Sequence, residues 1–248
     1  MLSTLEQTRL PAVSPAAKGT ALLVLLENVG YVSGLDLPGW VRAIIDTVTE
    51  EYAKLLLRLL GAHRRYDRVL ILEDAAVTNE RVAAALLDLS QGHRLDLLLL
   101  VHGQKECLVG YRGESYIDSG LFNPLLDAYR RDPAVLDLGI VYGVNCYGAS
   151  LAPTWLALGA DAVNGALGVN WFPEPSLSLF LVRWLNGATF SEAVETSFRW
   201  ARRVGKLIWP DTDAGREDPH LTGSQQIVYG RRDVRLFDPP EDKSMGAI

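Results

Sequence analysis

Cysteine is scarce in this sequence: Cys107 and Cys146 are the two among 248 residues. That excludes a disulfide framework as the basis of the fold and fits a reducing compartment. Long apolar runs are also missing. None approaches the roughly 18 consecutive residues that suggest a membrane-spanning helix. The opening stretch "MLSTLEQTRLPAVSPAAKG" has no basic segment leading into an apolar one, so no secretory signal is expected. A cytoplasmic protein is the expectation. An excess of positive charge is lacking as well. With 24 Lys and Arg against 30 Asp and Glu, the net charge is −6 and the isoelectric point about 5.3, which argues against nucleic acid or an anionic membrane as a partner. Local pairs such as Arg64-Arg65 and Arg202-Arg203 read as solvated helix faces. Internal repeats and low-complexity linkers are absent too. The expectation is one domain over 1–248, with an N-terminal extension at 1–18, a core at 19–208 and an irregular segment at 209–248.

What is present is a chain that is 48% hydrophobic and 22% charged, long enough to bury a full core. Short apolar runs alternate with helical patterns, as in parallel βαβ construction. Strands are predicted at 21–27 ("ALLVLLE"), 67–73 ("DRVLILE"), 95–101 ("LDLLLLV"), 138–144 ("LGIVYGV") and 161–169 ("DAVNGALGV"). The unbroken apolar character of 95–101 marks a central strand covered on both faces. Helices are predicted from about 38 to 60, after the N-cap Thr78, near 120–131, over 151–159 behind Ser150 as cap, and near 175–186 and 191–207. The polar stretch after residue 102 reads as a loop or small hairpin. "QQIVYG" is a possible further strand in the turn-rich tail.

Ligands of open parallel sheets bind beyond the carboxyl ends of the strands. Two reactive residues fall there: His102 after the third strand and Cys146 after the fourth. If those strands are neighbours, their ends lie roughly 5 Å apart. Taken singly, a strand-end His is more often structural and a lone Cys a small hydrophobe. Together they suggest a nucleophile and a base. A helix N-terminus behind Cys146 and a nearby imidazolium would both favour thiolate. Gly148 and Ala149 leave room for a peptide, and Gly103 allows a backbone N–H to face a developing oxyanion.

A hydrophobic strand ending in His-Gly, followed at the next strand by an apolar run ending in Cys with small residues behind it, resembles the caspase-like cysteine peptidase superfamily. That superfamily includes caspases, metacaspases, gingipains, clostripain, separase and CHAT-domain proteases. The His–Cys separation of 44 residues is close to the roughly 50 of caspases. "TNERVAAALLDLSQGHRLDLLLLVHG" is similar to the family's capped helix leading into the histidine strand. "LAPTWLALGADAVNGALG" is similar to the segment that follows the nucleophile in CHAT proteases and gingipains, and "FLVRWLNGATFSEAVETSFRWAR" to the CHAT ending. The likeness runs in order over residues 20–207.

The resemblance implies a three-layer αβα domain with a mostly parallel sheet. It further implies a cysteine endopeptidase with His102 as general acid/base and Cys146 as nucleophile. The backbone N–H groups of Gly103 and Cys146 would form the oxyanion hole. No metal or organic cofactor is implied, and the partners would be a protein or peptide substrate and an activating or regulatory protein. One position departs from the pattern: two before the nucleophile stands Val144, where metacaspases and clostripain carry Asp and caspases Gln. Glu27 and Asn28 would line the P1 pocket and bind Arg or Lys, unless Glu27 is a solvated strand-end carboxylate. Asp118 and Trp171 are further substrate contacts to weigh against surface and core roles. Asn145 is read as shaping the turn, and Cys107 as packing only. "GYRGESYIDSG" would be a processing loop or a plain surface loop.

Other chemistries have less support. "GVNCYGAS", residues 143–150, has the glycine spacing of a P-loop, but Ala149 stands where the lysine would be. A G-x-S-x-G elbow and a dinucleotide fingerprint are both absent. The rival of a different class is a catalytically silent caspase-like scaffold or regulatory interaction domain.

Overall fold

The computed structural model describes residues 18–27, 50–110, 113–211, 215–236 and 238. Asn28 and the segment 38–49 of the long helix expected after the first strand lie outside them. The first strand, β1 (Gly19–Leu26), is followed by α1 (Glu50–Leu59), the short α2 (Ala62–Arg65) and β2 (Arg68–Glu73). Then come α3 (Asn79–Ser90) and β3 (His93–Leu100), and an antiparallel excursion of β4 (His102–Gln104), β5 (Cys107–Val109) and β6 (Tyr116–Ile117). The chain returns through α4 (Ser119–Arg131) to β7 (Leu138–Gly143), α5 (Ala152–Ala157) and β8 (Ala162–Ala166). It ends with α6 (Pro173–Leu185), α7 (Phe190–Ile208), α8 (Pro219–Gly223) and β9 (Gln226–Gly230).

The main sheet has the order β2-β1-β3-β7-β8-β9, parallel except for the last strand. Side chains alternate across it because successive Cβ atoms point to opposite faces. Ala21, Leu23 and Leu25 of β1 join Leu95, Leu97 and Leu99 of β3 against Val82, Leu86 and Leu89 of α3, with Leu121 and Phe122 of α4 and Trp155 of α5. Leu22, Val24 and Leu26 face the other way, with Leu98 and Leu100, onto Ala53 and Leu57 of α1, Leu177 and Phe180 of α6 and Val194 of α7. Two apolar faces therefore need two helical layers, and the result is the expected αβα sandwich. Each leucine fully buried in it contributes on the order of 2 kcal/mol.

Local chemistry sets the helix ends. Thr78 accepts the Arg81 N–H at 3.3 Å and starts α3, as its sequence position predicts. Thr189 and Glu192 form a reciprocal capping box on α7. One expectation is corrected. The helix after Cys146 is not capped by Ser150: a 3₁₀ turn over Gly148–Ser150 intervenes, and α5 starts only at Ala152 behind Leu151. In the segment after residue 208, the possible strand "QQIVYG" is borne out. This strand, β9, pairs along the whole of β8, from Ala162↔Gly230 to Ala166↔Gln226, and completes the sheet.

At the opposite end from the carboxyl edge, β3 carries a buried polar group. Asp96 accepts from the Ile140 N–H at 3.0 Å and from the Tyr66 hydroxyl at 2.8 Å; that hydroxyl in turn accepts the Trp184 indole N–H at 2.8 Å. Arg94, on the same strand, pairs with Asp161. Burial pushes the Asp96 carboxyl up to about 6, against the pull of these donors.

Candidate active site

The strands β3 and β7 are hydrogen-bonded neighbours in parallel register, Leu99 opposite Gly143. Their carboxyl ends therefore open side by side, and the loops that follow carry His102 and Cys146. His102 opens β4, opposite Val109 of β5. Cys146 lies three residues past β7. Contact between the two loops is direct: a methyl group added at Gly103 would overlap the Cys146 carbonyl oxygen and press on the Asn145 side chain. No residue with a Cβ fits at Gly103 without moving the backbone of Cys146.

The loop carrying Cys146 is tightly held. Asn145 is 3% exposed, and its Nδ2 donates to the Cys146 carbonyl at 3.3 Å. Tyr147 adopts φ 54°, a left-handed conformation uncommon for such a side chain. The Ser150 hydroxyl donates to the Tyr147 carbonyl at 2.8 Å and accepts the Glu106 N–H at 2.8 Å, which docks the β4–β5 hairpin onto the turn. From below, β8 presses against the same turn: a Cβ at Gly165 would overlap the backbone of Gly148 and Ala149. Asn164, buried in β8, spans to the last residue of β7 by accepting the Gly143 N–H at 2.9 Å and donating to its carbonyl at 3.1 Å. Turn shaping is thus the part Asn145 plays here, as its position suggests.

The chain leaving β8 forms the other wall. The Asn170 N–H donates to Cys146 Sγ at 3.4 Å, its Nδ2 donates to the Val144 carbonyl at 2.7 Å, and its Oδ1 accepts the Phe172 N–H at 3.1 Å. The Tyr147 N–H donates to the Gly168 carbonyl at 2.7 Å. Trp171 is fixed by its N–H to Ser224 Oγ at 2.8 Å, and its ring lies 4.7 Å from that of His220 and 6.1 Å from that of Trp209. Trp171 therefore stands one residue beyond the amide that reaches the sulfur, within an aromatic cluster. His220 stacks on Trp209 and holds Asp218 Oδ1 at 2.7 Å through Nδ1.

Electrostatically, burial favours the neutral form of both side chains. Burial lowers the His102 pKa from its ordinary value, and burial raises that of Cys146, opposed by backbone N–H bonds from Asn170 and from Cys146 itself. The expectation that a helix N-terminus sits directly behind Cys146 is corrected, because the dipole effect fades within a turn and α5 begins six residues on.

The remaining residues are placed as follows. Glu27 is 3% exposed, and its N–H donates to the Leu100 carbonyl at 3.0 Å, so it is not a solvated strand-end carboxylate. This puts it one strand across from the end of β3, two residues before His102. Asp118 caps α4 by accepting the Gly120 N–H at 2.8 Å and lies near Cys107, whose pKa is raised by burial and then by that carboxylate. Cys107 itself sits in β5 opposite Gln104. Asn170 and Asn164 are site residues that the sequence does not single out. A polar residue inside the apolar run "DAVNGALGV" is the available signal for Asn164; for Asn170 there is none. Among the described residues, no group of three or more His, Cys, Asp or Glu is arranged to hold a metal ion, and no helix is long and apolar enough to cross a membrane.

No family model and no curated protein matches the sequence. Solved structures do resemble the fold. The Arg-specific cysteine proteinase gingipain R superposes with a TM-score of 0.55 at 12% identity, covering 87% of this chain and 47% of that one. The complex of Porphyromonas gingivalis RgpB pro- and mature domains gives 0.51 at 14% identity, over 87% and 48%. The chain spans about half the length of these neighbours. It shares the fold of these neighbours, an α/β sandwich on a mostly parallel sheet with six strands among the described residues.

Proposed function

We propose that the protein is a cysteine endopeptidase working through a Cys146/His102 dyad. The observation that carries this reading is the packing of Gly103 onto the Cys146 carbonyl, which joins the loop of the half-buried histidine to the loop of the half-buried thiol at the carboxyl edge of adjacent strands. Burial favours a neutral imidazole and a neutral thiol, which would suit general-base activation: His102 would accept the Sγ proton as the sulfur attacks a peptide carbonyl. The backbone N–H groups of Gly103 and Cys146 would stabilise the tetrahedral oxyanion. His102 then returns the proton to the leaving amine, and water hydrolyses the thioester. Glu27, a buried carboxylate beside the strand that leads to His102, supports a basic P1 residue, with Asn28 beside it in sequence. Trp171 would wall the cleft. Asp118 is committed to its helix cap and lends less support. No cofactor enters this scheme, and the partner it requires is a protein or peptide.

A second reading is a catalytically silent scaffold or regulatory domain of the same fold. The observation favouring it is that burial drives both groups away from a resting ion pair. A library of fluorogenic peptides with Arg, Lys, Asp or Leu at P1 separates the two. The dyad predicts turnover that Cys146→Ala abolishes and His102→Ala lowers by about 10²–10⁴, with Arg or Lys preferred. Absence of turnover, together with unaltered partner binding in Cys146→Ala, would establish the scaffold.

A further inference from the structure

We infer that Asn170 is a positioning residue for the nucleophile: its side chain laces the loop after β8 to the loop after β7, holding its own backbone N–H against the sulfur that attacks. This rests on Cys146 being that nucleophile. Three bonds make the case. The Asn170 Nδ2 donates to the carbonyl of Val144, two residues before the cysteine, at 2.7 Å, and the Oδ1 accepts from Phe172 two residues ahead at 3.1 Å. Between these anchors the Asn170 peptide has little freedom, and its N–H falls 3.4 Å from Sγ. Phe172 is 3% exposed and packed with Ala201 and Leu221, so the far anchor is part of the core.

The chemistry needs such a donor. Charge develops on sulfur in a half-buried place where desolvation opposes the thiolate, and the helix that would otherwise supply a positive end starts too late. Hydrogen bonds to charged groups are stronger than those to neutral ones, so the Asn170 N–H gains strength as the proton leaves. Substituting Asn170 leaves a backbone N–H in place but frees it from both anchors. Asn170 thus acts through geometry rather than by touching substrate.

The test is the pH dependence of iodoacetamide alkylation at Cys146, read in a Cys107→Ser background, for the parent, Asn170→Ala, Ser224→Ala and His102→Ala. Ser224→Ala loosens the same loop by removing the bonds of that hydroxyl to the Trp171 N–H and to the Val169 and His220 carbonyls, while leaving both side-chain bonds of Asn170 in place. The expected result is a rate at pH 7 about tenfold lower in Asn170→Ala, the scale of one lost charge-assisted hydrogen bond, with no such shift in Ser224→Ala. Superimposable profiles for the parent and Asn170→Ala, or an equal shift in Ser224→Ala, would overturn the inference. If Asn170→Ala does not fold, the amide proton resonance of Asn170 in the parent decides. It should titrate with Cys146 and move on alkylation, and an indifferent resonance refutes the bond. Should His102→Ala leave the rate unchanged while Asn170→Ala lowers it, the dyad fails and the Asn170 bond stands.

Discussion

The buried Asp96 makes stability depend on pH in a direction opposite to most carboxylates. Its carboxyl is raised from 3.8 to about 6 in the folded protein, so between those values the native state keeps a proton that the unfolded chain has released. Stability from this group is fully present below about pH 3.8 and is lost as pH rises through about 6. A rise of that size is worth about 3 kcal/mol between the two protonation states. Asp96→Asn keeps an oxygen for the Ile140 N–H and carries no charge at any pH, so the variant lacks this slope. Urea unfolding followed by tryptophan fluorescence from about pH 3 to about pH 7.5 measures it, a window that brackets the change in protonation. The quantity of interest is the difference between parent and variant, in which the other titrating groups cancel. The parent should lose stability relative to Asp96→Asn by about 3 kcal/mol across the window. A difference that is flat with pH, or one that favours the parent as pH rises, would refute the reasoning.

Other substitutions address the scaffold of the site. Gly165→Ala forces a methyl into the backbone of Gly148 and Ala149. Mass spectrometry of labelled peptides from the native protein should show Cys146 alkylation changed at least several-fold, with unfolding stability lowered by about 1–3 kcal/mol. Asn164→Leu removes both bonds to Gly143 and the 2.7 Å bond to Gln226. A loss of about 2–4 kcal/mol in urea midpoint analysis is expected, because Gly143 is left with buried groups unpaired.

The sheet is legible in the sequence because a strand covered on both faces must be apolar throughout, as 95–101 is, and because parallel strands require helices between them. The placement of His102 and Cys146 is legible for a related reason: loops that follow consecutive strands share one edge of the sheet when the strands pair, and β3 and β7 do. The boundary behind Cys146 is not. Ser150 looks like a helix cap in one dimension, but its hydroxyl is engaged by Tyr147 and by the N–H of Glu106, a residue 44 positions away. Glu27 falls at a strand end as its position suggests, yet its burial depends on neighbouring elements that the local sequence does not encode. Asn170 is invisible for the same reason, since its partners are carbonyl, amide and sulfur atoms brought to it by the fold. The apolar run of β9 suggests a strand, but its antiparallel pairing with β8 depends on tertiary register.

The dyad itself is tested most directly by the rate of Cys146 alkylation between about pH 5 and about pH 9 in the parent and in His102→Ala, both in the Cys107→Ser background, a range spanning the ordinary imidazole and thiol pKa values. Burial lowers the pKa of His102, so the neutral base persists below pH 6.5. The parent should therefore retain His102-dependent reactivity below that pH, and at about pH 7 should react at least tenfold faster than His102→Ala, on the scale of general-base assistance. The variant should follow simple thiol ionisation above about pH 8.5. Identical profiles in the two proteins would contradict the dyad and leave the silent scaffold as the better account.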